Sequence, residues 1–182
     1  MRLSASQHLR RWGLACGLAL ITACSGNAIN TGPFSKGGPN GERNELCTPV
    51  RPGGVLSYGL DAFPNSGSSP ATIERVTLTD PHNLQIIAAY AVPLTGTQLY
   101  GVLDGAPPAR HLPADVQWAQ RQRAGGAVIP PGAYTNLVLV LKPVGKKGTA
   151  RSVDMFYRSG GQQYHFQTVT SLEVLVAKAC PS

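Results

Sequence analysis

The run from Val153 to Gln167 (VDMFYRSGGQQYHFQ) leaves the chain little conformational choice. Gly160-Gly161 falls between two stretches that alternate apolar and polar residues. A type I′ turn needs φ > 0 at both central positions, so this pair is a strong two-residue hairpin signal. The register it sets pairs Ser159 with Gln162, Arg158 with Gln163, Tyr157 with Tyr164, Phe156 with His165 and Met155 with Phe166. Val153, Met155, Tyr157, Tyr164 and Phe166 then share one face, the expected core face. Asp154, Phe156, Arg158, Gln163, His165 and Gln167 share the other. A slip of one residue would mix the two sets, so the pattern supports the register.

The rest of the chain continues this theme. Period-two runs predict strands at Val55–Leu60, Val76–Thr79, Leu84–Val92, Gln98–Leu103 and Leu172–Ala177. Leu84, Ile86, Ala88, Tyr90 and Val92 fall on one face of theirs. Leu137–Leu141 (LVLVL) is apolar on both faces, as a central strand covered on both sides would be. Only 14% of the residues are charged, with 21 glycines and 15 prolines, which excludes coiled coils and long helical bundles. A hydrophobic share of 42% is enough for a core, so a charged disordered chain is excluded too. The expected fold is all-β, a single antiparallel immunoglobulin-like β-sandwich of seven or eight strands. The stretch from Asp104 to Ala133 is the least regular, with a short helix expected at Asp115–Arg123.

The N-terminus carries an address. Arg2, Arg10 and Arg11 form a basic segment without acidic residues, and Trp12–Ala23 is uncharged and largely apolar. About 12 residues of helix span only ~18 Å, short of a ~30 Å bilayer core, so this is a secretory signal and not a permanent span. The surroundings of Arg10-Arg11 match twin-arginine export poorly, which leaves general secretion. Leu20-Ile21-Thr22-Ala23-Cys24 resembles the lipobox of bacterial lipoproteins: an aliphatic residue, two small ones, then cysteine. The resemblance covers the signal alone. It implies that residues 1–23 are cut away and that Cys24 receives diacylglycerol on its sulfur. Two acyl chains, at ~0.8 kcal/mol per buried CH₂, anchor stably where one does not. Beyond the lipobox, the excess of Arg over Lys and the Ala, Gly and Pro content look like the small secreted lipoproteins of high-GC bacteria; that likeness implies no activity.

Loss of the signal removes three of the 16 basic residues and none of the nine acidic ones, so the mature charge is 13 − 9 = +4. No basic run with interleaved aromatics remains, and nucleic acid is not an expected partner. Of four cysteines, the lipobox resemblance implies that Cys16 leaves with the signal and that Cys24 takes lipid. Outside the cytoplasm the remaining Cys47 and Cys180 are expected to pair. The expected organisation is a signal over 1–23, the lipidated cysteine with a flexible Gly/Asn/Ser/Pro tether over 24–46, and a sandwich domain over 47–182.

Chemistry is harder to find. There is no G-x-S-x-G elbow, and Asp61, Asp80 and Asp104 are expected at strand ends, as turn caps. No two carboxylates can be paired for glycoside hydrolysis. A copper site would draw on His82, His111, His165 and Met155, but the hairpin puts Met155 and His165 on opposite faces, and His82 reads as a turn residue. What remains is recognition. Phe156 sits among Arg158 and His165 on a polar face, and Trp118 lies near Arg121 and Arg123. Aromatic side chains with arginine are the favoured composition of interaction hot spots. The expected protein is therefore a lipid-anchored, extracytoplasmic, non-catalytic binding module without cofactor or metal. Its partner would be an envelope protein or wall polymer, and its membrane contact the anchor at Cys24. A metal or small-ligand carrier and an envelope hydrolase are the alternatives.

Overall fold

The computed structural model describes residues 31–34, 44–107, 112–177 and 179–180. The lipobox with Cys24, and His111, lie outside the described residues. Among the described residues twelve strands form three sheets: β1 (Asn44–Val50), β2 (Leu56–Pro64), β3 (Ala71–Thr79), β4 (Leu84–Leu94), β5 (Gly101–Asp104), β6 (Gln122–Arg123), β7 (Val128–Ile129), β8 (Tyr134–Pro143), β9 (Lys147–Ala150), β10 (Ser152–Ser159), β11 (Gln162–Gln167) and β12 (Thr170–Val176). Their orders are β5-β2-β8-β4-β6, β11-β10-β3-β7 and β1-β12-β9. The strand count exceeds the expected seven or eight because the short strands β6, β7 and β9, and the polar β1, carry too few alternating residues to show a period. The pairing is not purely antiparallel either, since β1 runs parallel to β12.

The inner side chains of all three sheets meet in one core, which makes the domain a β-sandwich. Leu56, Tyr58, Phe63, Leu137, Leu139 and Leu141 of the five-stranded sheet pack with Ile73, Met155, Tyr157 and Phe166 of the four-stranded sheet and with Val50, Leu172 and Val174 of the three-stranded one. The hairpin forms in the expected register, with φ +57 at Gly160 and φ +80 at Gly161. β8 is the centre of its sheet and is covered on both faces. On its far side Val92, Leu94, Tyr100, Val116 and Val138 form a second, smaller core.

Three bulges shape the sheets. In β4 the extra residue is Ile87, which is 51% exposed. It divides the face expected for Leu84–Val92: Leu84 and Ile86 pack into the main core, while Tyr90 and Val92 belong to the second. In β2 the register shifts between Tyr58 and Asp61, and Asn136 spans the gap. Its amide donates to the carbonyls of Gly59 (3.2 Å) and Asp61 (2.8 Å), and its carbonyl accepts from the Tyr100 N–H (2.7 Å). Asp61 is thereby held inside a strand and not at the end expected of it, its Oδ2 out of contact with water. Burial pushes its carboxyl up to about 6, the nearby Tyr58 hydroxyl partly offsetting this.

Two further expectations meet a different arrangement. Within the segment read as a tether, Phe34 is fully buried. Its ring lies 4.1 Å from Tyr157 and 4.5 Å from Phe63, centroid to centroid, and its N–H donates to the Tyr157 hydroxyl (3.2 Å). Asn44–Leu46, also assigned to the tether, belong to β1. The helix expected at Asp115–Arg123 is a single 3-10 turn at Trp118–Gln120 followed by β6. Cys47 in β1 is bonded to Cys180 after β12, closing a span of 133 residues and tying the parallel pair at the chain's two ends.

Candidate functional site

The outward face of the four-stranded sheet gathers the first candidate cluster. Cross-strand pairing sets Arg75, Phe156 and His165 in one row over β3, β10 and β11. The Arg75 guanidinium lies 4.3 Å above the Phe156 ring, and His165 stacks on the same side chain at 4.5 Å with only 4° between the planes. Phe156 is thus half-buried between two flat cationic or polar groups. Arg158 pairs with Glu74 at 3.1 Å, and Gln163 also donates to Glu74. Glu74, Arg75, Phe156, Gln163 and Tyr164 line a shallow depression of about 390 Å³.

Beneath this row sits a polar network. His165 Nε2 is 2.7 Å from Asp154 Oδ1, to which Gln167 also donates at 2.8 Å. Thr79 donates a short hydrogen bond to Asp154 Oδ2, and Ser152 donates to Thr79 at 2.9 Å. A hydrolytic triad puts the hydroxyl on the imidazole and the carboxylate behind it. Here Thr79 reaches the carboxylate directly and Ser152 reaches Thr79, so among the described residues these two hydroxyls bond on the Asp154 side of the imidazole. Glu74, Arg75, Asp154 and Thr79 were not singled out in the sequence. The adjacent charges Glu74-Arg75, which interrupt an alternating run, are the sequence mark of the bulge that exposes both.

The second cluster lies on the outer side of the five-stranded sheet. Trp118 packs against Tyr90 (5.3 Å) and Tyr100 (5.6 Å) at the rim of the second core. Arg121 lies over Trp118 at 4.9 Å and Arg123 over Tyr90 at 4.8 Å. Trp118 therefore both packs at the rim of that core and presents its ring to the Arg121 guanidinium. The structure brings Trp118, Arg121 and Arg123 together, and separately Phe156, Arg158 and His165; the two groups occupy opposite outer faces of the sandwich.

The remaining candidates are placed as follows. His82 joins Thr149 through paired backbone hydrogen bonds of 2.8 Å, in a turn flanked by Asp80 (φ +46) and Asn83 (φ +50). Met155 is fully buried in the core. Among the described residues no three His, Cys, Asp or Glu side chains are grouped so as to hold a metal ion. No described helix is long and apolar enough to cross a membrane.

No protein-family model matches the chain, and no curated protein matches it. Among solved structures the chain is similar to the ASH/PapD-like domain of human CEP192 (PapD-like domain 7), with 10% identity over 76% of this chain and 84% of that one and a TM-score of 0.37. Nothing is transferred from a likeness at that level.

Proposed function

We propose that the mature chain is a non-catalytic binding module of the bacterial cell envelope, anchored outside the cytoplasm by acyl chains on Cys24. Its sandwich is read as immunoglobulin-like in the broad sense: two packed layers, with the first strand laid along the last. The partner is an envelope protein or wall polymer that seats on the outer face of β3, β10 and β11.

The observation that carries this is the Arg75–Phe156–His165 row. An aromatic ring on an outward sheet face costs solvent-exposed apolar area, and three aligned π or guanidinium groups have no role in the core beneath them. Stacked groups of this kind lose little side-chain entropy on binding and bury large area per residue. The buried Asp154 pair holds His165 in place, so the surface is preorganised.

The test is a photo-cross-linking side chain at position 156, with a control at the exposed Val144, in the anchored protein in cells. A discrete adduct from position 156 and none from 144 is expected. Phe156→Ala should abolish capture by the anchored protein without lowering Tm. Capture undiminished in that variant would remove this face as the site, and an unacylated Cys24 in the mature protein would remove the anchor.

A further inference from the structure

The N-terminal segment docks at one end of the sandwich, Gly32 against Tyr157 and Tyr164 and Pro33 against Gly67, and from there the backbone leads across the five-stranded sheet toward the Trp118 cluster. Pro33 O accepts from Ser66 N–H (3.0 Å) and from the Ser66 hydroxyl (2.6 Å). Next to Ser66, Asn65 N–H donates to Ala133 O (2.9 Å), and the neighbouring Tyr134 pairs with Leu94. Gln117 N–H then donates to Pro93 O (3.0 Å), directly before Trp118. Backbone hydrogen bonds alternating with single chain steps thus lead from Pro33 to the aromatic–arginine patch. Cys24 precedes Thr31 by seven residues, a reach of at most about 25 Å fully extended.

The patch has the chemistry of a surface that meets anions. Arg51, Arg151, Arg158 and Lys147 are each paired with a carboxylate; Arg121 and Arg123, like Arg75, Lys142 and Lys146, are exposed without a carboxylate partner among the described residues, and they are two such guanidinium groups on neighbouring aromatic rings. The carboxylate at this end, Asp115, accepts from the Gln98 N–H (2.9 Å). Guanidinium groups are weakly hydrated and fit phosphate oxygens in a planar fork. Trp and Tyr are the side chains enriched at the headgroup level of bilayers.

We propose that the Trp118–Arg121–Arg123 face rests on the anionic phospholipid headgroups of the bilayer that holds the Cys24 anchor, leaving the opposite Phe156 face turned away from the membrane. This rests on the anchored reading above. Each basic residue at an anionic surface is worth roughly fivefold in partitioning, so the two arginines together contribute about thirtyfold.

The test uses the chain from Ser25 to Ser182, which contains every residue of both cores and in which Trp118 is the sole tryptophan. It is sedimented with vesicles of phosphatidylcholine alone or with phosphatidylglycerol, while tryptophan emission is followed. Binding only to the anionic vesicles is expected, with a blue shift, weakened by salt. The double variant Arg121→Gln/Arg123→Gln should bind about thirtyfold more weakly at an unchanged Tm. Equal binding by the double variant overturns the proposal. So does binding to purified anionic wall polymer but not to vesicles. Mass spectrometry of the full-length mature protein runs in parallel: an acylated Cys24 without vesicle binding removes this surface and leaves the anchor, whereas vesicle binding with an unacylated Cys24 does the reverse.

Discussion

Asp61 shows how one residue can carry a measurable charge penalty. Its carboxyl titrates near 6 in the folded protein because burial disfavours the anion, whereas an unfolded chain ionises it near 3.9. A folded pKa raised above the unfolded one contributes stability that is fully present below about pH 4. That contribution is lost as pH rises through about 6. Across this window the group should cost the native state roughly 2 to 3 kcal/mol, at 1.36 kcal/mol per pKa unit. Asp61→Asn removes the titration and keeps the shape. Urea unfolding at pH 4 and pH 7 should show the variant gaining about that much relative to the natural chain between the two; a constant difference would refute the assignment. The sequence could not announce this. An Asp following Gly59-Leu60 reads as a turn cap, and only the β2 bulge, spanned by Asn136 from another strand, turns it inward.

Among the elements, those legible in advance are the ones whose instructions are local. The Gly160-Gly161 hairpin needs only two positive φ angles and alternating neighbours, and every expected pair from Ser159–Gln162 to Met155–Phe166 is formed. β8 announces its central place by being apolar on both faces. β4 was only half legible: its alternation is genuine, but Ile87 shifts the phase, and a bulge depends on how the strand pairs with β8. The Thr31–Phe34 segment was misread for a related reason. One Phe among Gly, Asn and Pro cannot fold by itself, yet Phe63 and Tyr157 of opposite sheets leave a slot that it fills. Phe34→Ala should therefore destabilise the domain by about 3–5 kcal/mol, as for a core aromatic. Thermal or urea unfolding checks this, and an unchanged midpoint would return the segment to the role of a loose tether.

For the domain as a unit, closure at its ends matters most. β1 has little apolar pattern of its own, and it is held by parallel pairing to β12 and by the Cys47–Cys180 bond. In the chain-entropy model a loop of this length contributes up to ~5 kcal/mol. Cys47→Ser in oxidising buffer should lower the urea midpoint accordingly and expose β1 to proteolysis. An unchanged midpoint would mean that the β1–β12 ladder alone keeps the ends together. The two outer faces then divide the work we propose, one toward the membrane and one toward a partner, with the doubly covered β8 between them.

The local code of this chain dictates its β character, one hairpin to the residue and the buried central strand. These follow from φ preferences and period-two alternation, neither of which needs a distant partner. The placement of Phe34 in the core, the parallel seat of β1, the inward turn of Asp61 and the meeting of Arg75 with Phe156 were settled by packing. Each depends on which strand lies opposite and in what register. A bulge of one residue moves a side chain from one face to the other, and the free energy that selects the bulge is released only when both sheets close on a common core.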